Sequence, residues 1–389
     1  MGQLESLFQP AQMSTQEETR IAYSRDASRI QGECRAVVWP ETVTDIVRLA
    51  QWAAETGIDL VPRGAGTGLC GAATPQNSVV VDSARLRHID VLNIQLKQVV
   101  VEAGVPLDQL NLNLRSAGLF FPVIPGSHRS ATIGGMIATN AAGLHAVRYG
   151  RMSDWVEEVV LVDGTGECHQ LTADDRKACI GREGITGMIV QSKLRLTEVP
   201  EIRSLTLFTF ENLQEMLKQV EELKTNPALS ALEYLNPHAA ALVGWTENHS
   251  VLAEFQSAEG EIRDSAGMAN LWGARESLSA RLTQAGFPIS EDPQFPPEAL
   301  EESIDWLTAQ RIPTFGHLGV GILHPRFMQN DARIAELYRR VSVSGGQISG
   351  EHGMGLKKRQ WANESLQAEV QALKTQFDPY YVFNRGKLC

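Results

Sequence analysis

The chain has 389 residues, 43% hydrophobic and 21% charged, an ordinary globular composition with room for two or three domain cores. A formal net charge of −11 speaks against a nucleic-acid partner, since phosphate contacts draw on clustered Lys and Arg. No apolar run approaches a membrane span, and the opening MGQLESLFQPAQM lacks the charged-then-apolar pattern of an export signal. The five cysteines, Cys34, Cys70, Cys168, Cys179 and Cys389, are scattered without a C-x-x-C pair. That pattern predicts reduced thiols in a cytoplasmic protein, not disulfides or a cysteine metal site.

Residues 41–57, ETVTDIVRLAQWAAETG, place apolar residues at 43, 46, 47, 50, 53 and 54, which is helical spacing with Gly57 as the C-terminal cap. A strand ending at Val61 follows, and then VPRGAGTGLCGAATP, with Gly64, Gly66, Gly68 and Gly71 inside eight positions. Such a loop lets a ligand approach the main chain, and its N–H groups can converge on an anion. It is not a dinucleotide fingerprint: G-x-G-x-x-G would need glycine where Leu69 stands, and Pro75 with Val79-Val80-Val81 follows in place of a helix. The loop therefore joins strand to strand and, if it holds phosphate, does so with its backbone and Arg63.

Further short strands are expected at Val79–Asp82, Val99–Ala103, Val159–Val162 and Gly187–Leu196. Between them, residues 125–143, PGSHRSATIGGMIATNAAG, read as a second loop of small residues. Its Pro125, Gly126, Ser127, Thr132, Gly134, Gly135, Thr139, Asn140 and Gly143 leave room for a flat or anionic ligand. A third glycine-rich element is Gly181-Arg182-Glu183-Gly184-Ile185-Thr186-Gly187. An elongated cofactor with a pyrophosphate needs several such loops.

Near residue 200 the texture changes. Ser204–Phe210, Ser230–Leu235, Val251–Phe255 and Thr314–Leu323 read as strands, with helices over Glu211–Asn226 and around Asp264–Gln284. The predicted organisation is α+β: a first domain over 1–202, a second over 203–340, and a segment 341–389 that returns to the first.

Several motifs together resemble the vanillyl-alcohol oxidase (PCMH-type) flavoprotein superfamily. They are YSRDAS (23–28), VPRGAGTGLCGA, PGS…ATIGGMIATNAAG with VRYG (147–150), GREGITGMIV (181–190), LWGARES (271–277), GHLGVGILH (316–324), SGEHGMG (349–355) and FDPYYVFNRGK (377–387). The match is to its 2-hydroxy-acid branch, which holds glycolate oxidase catalytic subunits and FAD-dependent D-lactate and D-2-hydroxyglutarate dehydrogenases. The resemblance spans nearly the whole chain in order. It implies a two-part FAD-binding domain with an α+β cap domain containing an antiparallel sheet. FAD would be wrapped by Pro62, Arg63, Gly64, Ala65, Gly66, Thr67, Gly68 and Leu69, by the 125–143 residues named above, and by Glu183, Gly184, Ile189 and Asn384. Some relatives attach flavin through a histidine where Thr67 stands, so the expected attachment is noncovalent.

The chemistry falls in the last third. His352, next to Glu351 on a glycine-flanked loop, suits proton abstraction. His317 and His324 share a segment that Gly319 and Gly321 can bend. With Glu351 they form a two-histidine, one-carboxylate set suited to zinc or another divalent ion. Arg275 matches the branch's carboxylate-binding arginine.

There are departures. The branch's G-D-G-N reads Gly319-Val320-Gly321-Ile322, Ser279 stands where threonine is common, Ser290 where diacid-oxidising relatives have lysine, and FNRGK leaves Arg385 without an explanation. The expected activity is oxidation of a small D-2-hydroxy acid, lactate- or glycolate-like. Electrons would leave to a quinone, an electron-transfer flavoprotein or an iron–sulfur subunit, through which the protein could sit at a membrane surface. Two alternatives stay open: an electron-relay or non-catalytic flavin subunit of a glycolate-oxidase-like complex, and oxidation of an alcohol or sugar.

Overall fold

A computed structural model describes residues 2–388, so Cys389 lies outside the described residues. The chain divides into two compact units, the first built from residues 2–141, 151–199 and 351–388, the second from Ala142–Gly150 and Pro200–Gly350.

The first unit holds two larger sheets and a two-stranded one, Leu119–Phe120 with Thr197–Glu198. In one of the larger two, the strand Gln76–Asp82 lies between Glu33–Val38 and Leu60–Arg63, parallel to both, with Met13–Ser14 on the far edge. The helix Val43–Thr56 makes the parallel connection possible. Thr42 accepts from the Asp45 N–H and Asp45 reaches back, a capping box, while Gly57 ends the helix at φ 68°. Its Ile46, Leu49, Ala50 and Ala53 are buried with Val79 and Val81 of the central strand. The second sheet is antiparallel, in the order Ile89–Asn93, Gln98–Glu102, Gly187–Arg195, Val156–Asp163, Cys168–Thr172.

The C-terminal segment closes the first sheet's edge. Leu60 donates its N–H to Val382 O (2.6 Å), and Asn384 N–H returns to Leu60 O (2.9 Å). Arg385 gains an explanation here: its N–H reaches Asp59 Oδ1 and its guanidinium reaches Tyr381 O and Gly57 O.

Two sequence readings need correcting. Residues 125–143 are not one loop, because Ile133–Thr139 is a helix started by Thr132, whose hydroxyl accepts from Gly135 N–H, and ended by Asn140 at φ 49°. Small residues serve packing here: a Cβ on Gly134 would lie 2.6 Å from Ala103 Cβ. Thr314–Leu323 is likewise not one strand. It folds into a hairpin, Thr314–His317 against Ile322–Phe327, with Phe315 opposite His324 and a turn at Gly321 (φ 71°).

The second unit is a six-stranded sheet in the order Ser204–Phe210, His249–Phe255, Leu229–Leu235, Thr314–His317, Ile322–Phe327, Ile289–Ser290, with antiparallel neighbours. Leu232, Tyr234, Val251 and Ala253 bury one face against helices Leu213–Lys224, Leu300–Ala309 and Arg333–Val343. Leu235 and Phe315 pack on the other against Leu278 and Leu282 of the helix Ser265–Gln284. Because both faces are covered, Leu229–Leu235 and His249–Phe255 are buried at every position.

Glu254 is one of the charges this burial must accommodate. Its carboxylate accepts from His145 Nε2 (3.1 Å), Trp272 Nε1 (3.0 Å), Ser230 Oγ (2.9 Å) and the Arg203 guanidinium. Burial pushes it up, yet His145 and Arg203 outweigh that and bring it down to about 2. A depressed carboxylate stabilises the fold above its unfolded value and loses that contribution as pH falls through the folded one. Glu254→Gln should therefore lower the melting temperature at neutral pH, by an amount corresponding to roughly 3 kcal/mol. The gap between variant and wild type should close between about pH 4.5 and pH 2, which thermal melts across that range will read.

Candidate active site

The glycine loop after Leu60–Arg63 is held from within by Arg63. Its Nη1 donates to Arg25 O (3.1 Å) and Ala73 O (3.3 Å), and its guanidinium lies 5.2 Å from the centroid of the Tyr23 ring. Gly66 sits directly over it at φ 68°, where a Cβ would meet Arg63 Nη2 at 2.2 Å. Arg63 thus braces the loop, a function its place in the sequence did not reveal.

Glycine also separates into two uses. A Cβ on Gly64 would meet Thr132 Oγ1 at 2.3 Å, so Gly64 lets the first loop touch the start of the Ile133–Thr139 helix. Around Gly68 the nearest atom is Asp26 Oδ2 at 4.0 Å, and around Gly126 nothing lies within 4 Å. Those two positions present open backbone, which suits a cofactor's pyrophosphate or ring system.

The remaining expected cradle residues serve varied ends. Asn140 Oδ1 accepts from Ser153 N–H (2.9 Å), Thr139 Oγ1 donates to Gly135 O (3.3 Å), and Ile189 is buried in the antiparallel sheet's core. Ser127 O accepts from Ser130 and Ala131 N–H. Pro62 packs 3.2 Å from where a Gly184 Cβ would stand. Pro125 O accepts from His128 N–H, while Ala65, Thr67 and Leu69 are half-buried or exposed along the loop. Gly143 belongs to the second unit, where its carbonyl accepts from Ala146 N–H.

Glu183 behaves differently from the expectation. It takes φ 50° and is buried, with its carboxylate turned to the main chain of the His352 loop: Met354 N–H to Oε1 at 2.6 Å, Gly355 N–H to Oε2 at 2.9 Å. Burial pushes it up to about 7 against the pull of those N–H groups and of Lys358 and Lys387. Its carbonyl accepts from Asn384 Nδ2 (2.5 Å), which also reaches Ala72 O, while Asn384 Oδ1 accepts from Lys387 Nζ (2.8 Å). In the same loop His352 Nε2 lies 3.4 Å from Glu351 Oε1, both side chains largely buried.

The second unit contributes a separate buried cluster. Arg275, on the helix Ser265–Gln284, donates from Nε (2.8 Å) and Nη2 (2.5 Å) to Glu233 Oε2. Glu233 Oε1 accepts from His317 Nδ1 at 2.6 Å. Burial opposes the Glu233 charge, but His317 and Arg275 overcome it and hold the carboxyl below the ordinary range. Phe315 lies under the Arg275 guanidinium (4.5 Å), and the His317 and His324 rings are 5.1 Å apart, nearly perpendicular.

Glu233 was missed by sequence reasoning, although a lone acid in the apolar run Leu229–Leu235 is the signal that could have marked it. Arg326, cross-strand from Ser290, donates to Ser279 Oγ (2.8 Å). Ile322 packs with Ala142 and Ala146, an apolar setting that accounts for the missing polar side chain there.

The family described as FAD binding domain matches residues 34–172, and FAD linked oxidases, C-terminal domain, matches 244–388. A D-2-hydroxyglutarate dehydrogenase of Xanthomonas citri pv. viticola is 28% identical, covering 91% of this chain and 89% of its own. A probable mitochondrial D-lactate dehydrogenase of Danio rerio is 30% identical over 90% of this chain and 84% of its own. Among solved structures, an alkyldihydroxyacetonephosphate synthase shares the fold at TM-score 0.72 and 16% identity, covering 99% of this chain and 84% of that one. The chain therefore belongs to the FAD-linked oxidoreductases that include the D-lactate and D-2-hydroxyglutarate dehydrogenases, within the vanillyl-alcohol oxidase superfamily.

Proposed function

We propose that the protein oxidises a small D-2-hydroxy acid, lactate- or glycolate-like, to the 2-oxo acid. The observation that carries this reading is the buried Arg275–Glu233–His317 chain, which sets a guanidinium and an imidazole in fixed relation. Noncovalently bound FAD supplies the acceptor for the C2 hydride. Arg275 binds the substrate carboxylate, and Glu233 holds its fork in place. His352 takes the hydroxyl proton as the C2–O bond becomes a carbonyl, with Glu351 oriented beside it. A divalent ion, zinc or a similar one, would take His317 and His324 as ligands, with the His317 ring oriented by its Nδ1–Glu233 bond. The sequence pattern adds Glu351 as third ligand. Such an ion would bind the substrate's oxygens and lower the hydroxyl pKa.

Electrons then pass to a quinone, an electron-transfer flavoprotein or an iron–sulfur subunit, in or facing the cytoplasm. Among the described residues no helix is long and apolar enough to cross a membrane. The apolar surroundings of Ile322, where the branch has asparagine, favour a second reading as an electron-relay subunit.

Anaerobic mixing with D-lactate, glycolate, D-malate and D-2-hydroxyglutarate decides between them. Bleaching of the oxidised-flavin absorbance by a hydroxy acid supports the dehydrogenase; no bleaching by any of them, with activity only beside a second flavoprotein, supports the relay. Arg275→Met should keep FAD and raise the half-saturating acid concentration at least tenfold, the scale of one lost charge-assisted fork.

His324→Ala should also keep FAD while turnover falls on the order of a hundredfold. Chelator should reproduce that loss in the wild type, and zinc or manganese should reverse it. Full activity in excess chelator, with no metal by elemental analysis, removes the ion from the mechanism.

A further inference from the structure

Glu183 is at a junction of three chain segments within the first unit. Its N–H donates to Ala138 O (2.8 Å), near the end of the Ile133–Thr139 helix. Its carbonyl takes Asn384 Nδ2, and Asn384 and Lys387 both reach Ala72 O beside the glycine loop. Its two carboxylate oxygens take two successive N–H groups, Met354 and Gly355, immediately after His352 and Gly353.

Nothing else about the residue is ordinary. A non-glycine residue at φ 50° between Gly181 (φ 70°) and Gly184 (φ 72°) is held against its own preference, and such backbone strain gathers at functional sites. The fit on the other side is equally close. Gly353 has φ 83°, and a Cβ there would lie 2.7 Å from Glu183 Oε1, so the His352 loop can seat on the carboxylate only because residue 353 has no side chain. Gly355 meets a similar limit, its Cβ position being 2.1 Å from Cys70 O. The loop is thus registered on one side by Glu183 and on the other by the first glycine loop, whose Cys70 carbonyl accepts from Leu356 and Lys357 N–H.

We propose that Glu183 is the positioning residue of the His352 loop: its carboxylate, through the Met354 and Gly355 N–H groups, sets where Glu351 and His352 stand relative to the loop Pro62–Leu69. This rests on the reading of His352 as proton acceptor. Glu183 then acts through the main chain and touches neither substrate nor the reacting atoms. The carboxylate gives each of the two N–H groups an oxygen of its own. An amide would offer one oxygen and set an NH₂ against the other donor.

Glu183→Gln and Gly353→Ala loosen the same contact from opposite sides, and the FAD-bound protein tests both. In Glu183→Gln, hydrogen exchange in a peptide spanning 351–356 should quicken at least tenfold while Ile133–Thr139 keeps its wild-type protection. With the hydroxy acid that reduces wild-type flavin fastest, the limiting reduction rate should fall tenfold or more. The half-saturating concentration should move less than twofold, and FAD content should stay full. The double variant should be no slower than the slower single one, since the two share one interaction.

A merely structural role predicts FAD loss together with additive effects, and that result overturns the proposal. So does unchanged exchange at 351–356, or a wild-type reduction rate in Glu183→Gln. If Glu183→Gln yields no soluble protein, Gly353→Ala carries the same two measurements alone. Failure of every hydroxy acid to reduce the wild-type flavin instead withdraws the His352 reading, and it is seen before any variant is made.

Discussion

Burying the Glu233 carboxylate is the constraint on which the second unit's arrangement turns. It stands in a strand buried at every position, where a charge without partners would cost several kcal/mol. Arg275 from the helix and His317 from the neighbouring strand supply the partners, so the helix is pinned to the sheet in rotation and in height. Trp272, one turn earlier on that helix, repeats the device by donating to the buried Glu254. Two carboxylates inside a sheet thereby fix which face of the helix Ser265–Gln284 turns inward, a choice its sequence leaves weakly specified: only Arg275, Leu278 and Leu282 are buried along twenty residues.

The first unit solves a different problem by the opposite means. There the main chain itself must come close to neighbouring segments, and missing side chains permit it. Gly64 against Thr132, Gly134 against Ala103 and Gly355 against Cys70 are all contacts that a methyl group would break. Open backbone remains at Gly68 and Gly126. One residue type therefore permits the close contacts and also leaves stretches of backbone open.

Much of this was legible in the sequence, and what was not has physical causes. The helix Val43–Thr56 announced itself by period and cap, and the strand-to-strand glycine loop by Pro75 and the valine run after it. The helix Ile133–Thr139 did not, because its apolar positions Ile133, Met136 and Ile137 span little more than one turn within a run of glycines and small residues. At Leu318–Gly321 the bend was legible from Gly319 and Gly321, but its tightening into a hairpin was not, since that depends on the conformation of one glycine, Gly321 at φ 71°. At the site, motif residues could be named, but their partners could not. Glu233 lies 42 residues from Arg275 and 84 from His317, and the Glu183 contact to Gly355 spans 172. Pairings over such separations leave no local pattern.

Those separations bear on how the chain matures as it leaves the ribosome. Most of the second unit is one continuous stretch, Pro200–Gly350, so that sheet can assemble as soon as its own residues have emerged. The first unit is stitched from three stretches. Its leading sheet carries an open edge at Leu60 until Val382 and Asn384 arrive to cover it, after the whole of the stretch Pro200–Gly350 has been made. Until then the glycine loop hangs from an unfinished sheet edge, exposed to misplaced strand pairing. The unit that comes first in the sequence is the last to be complete.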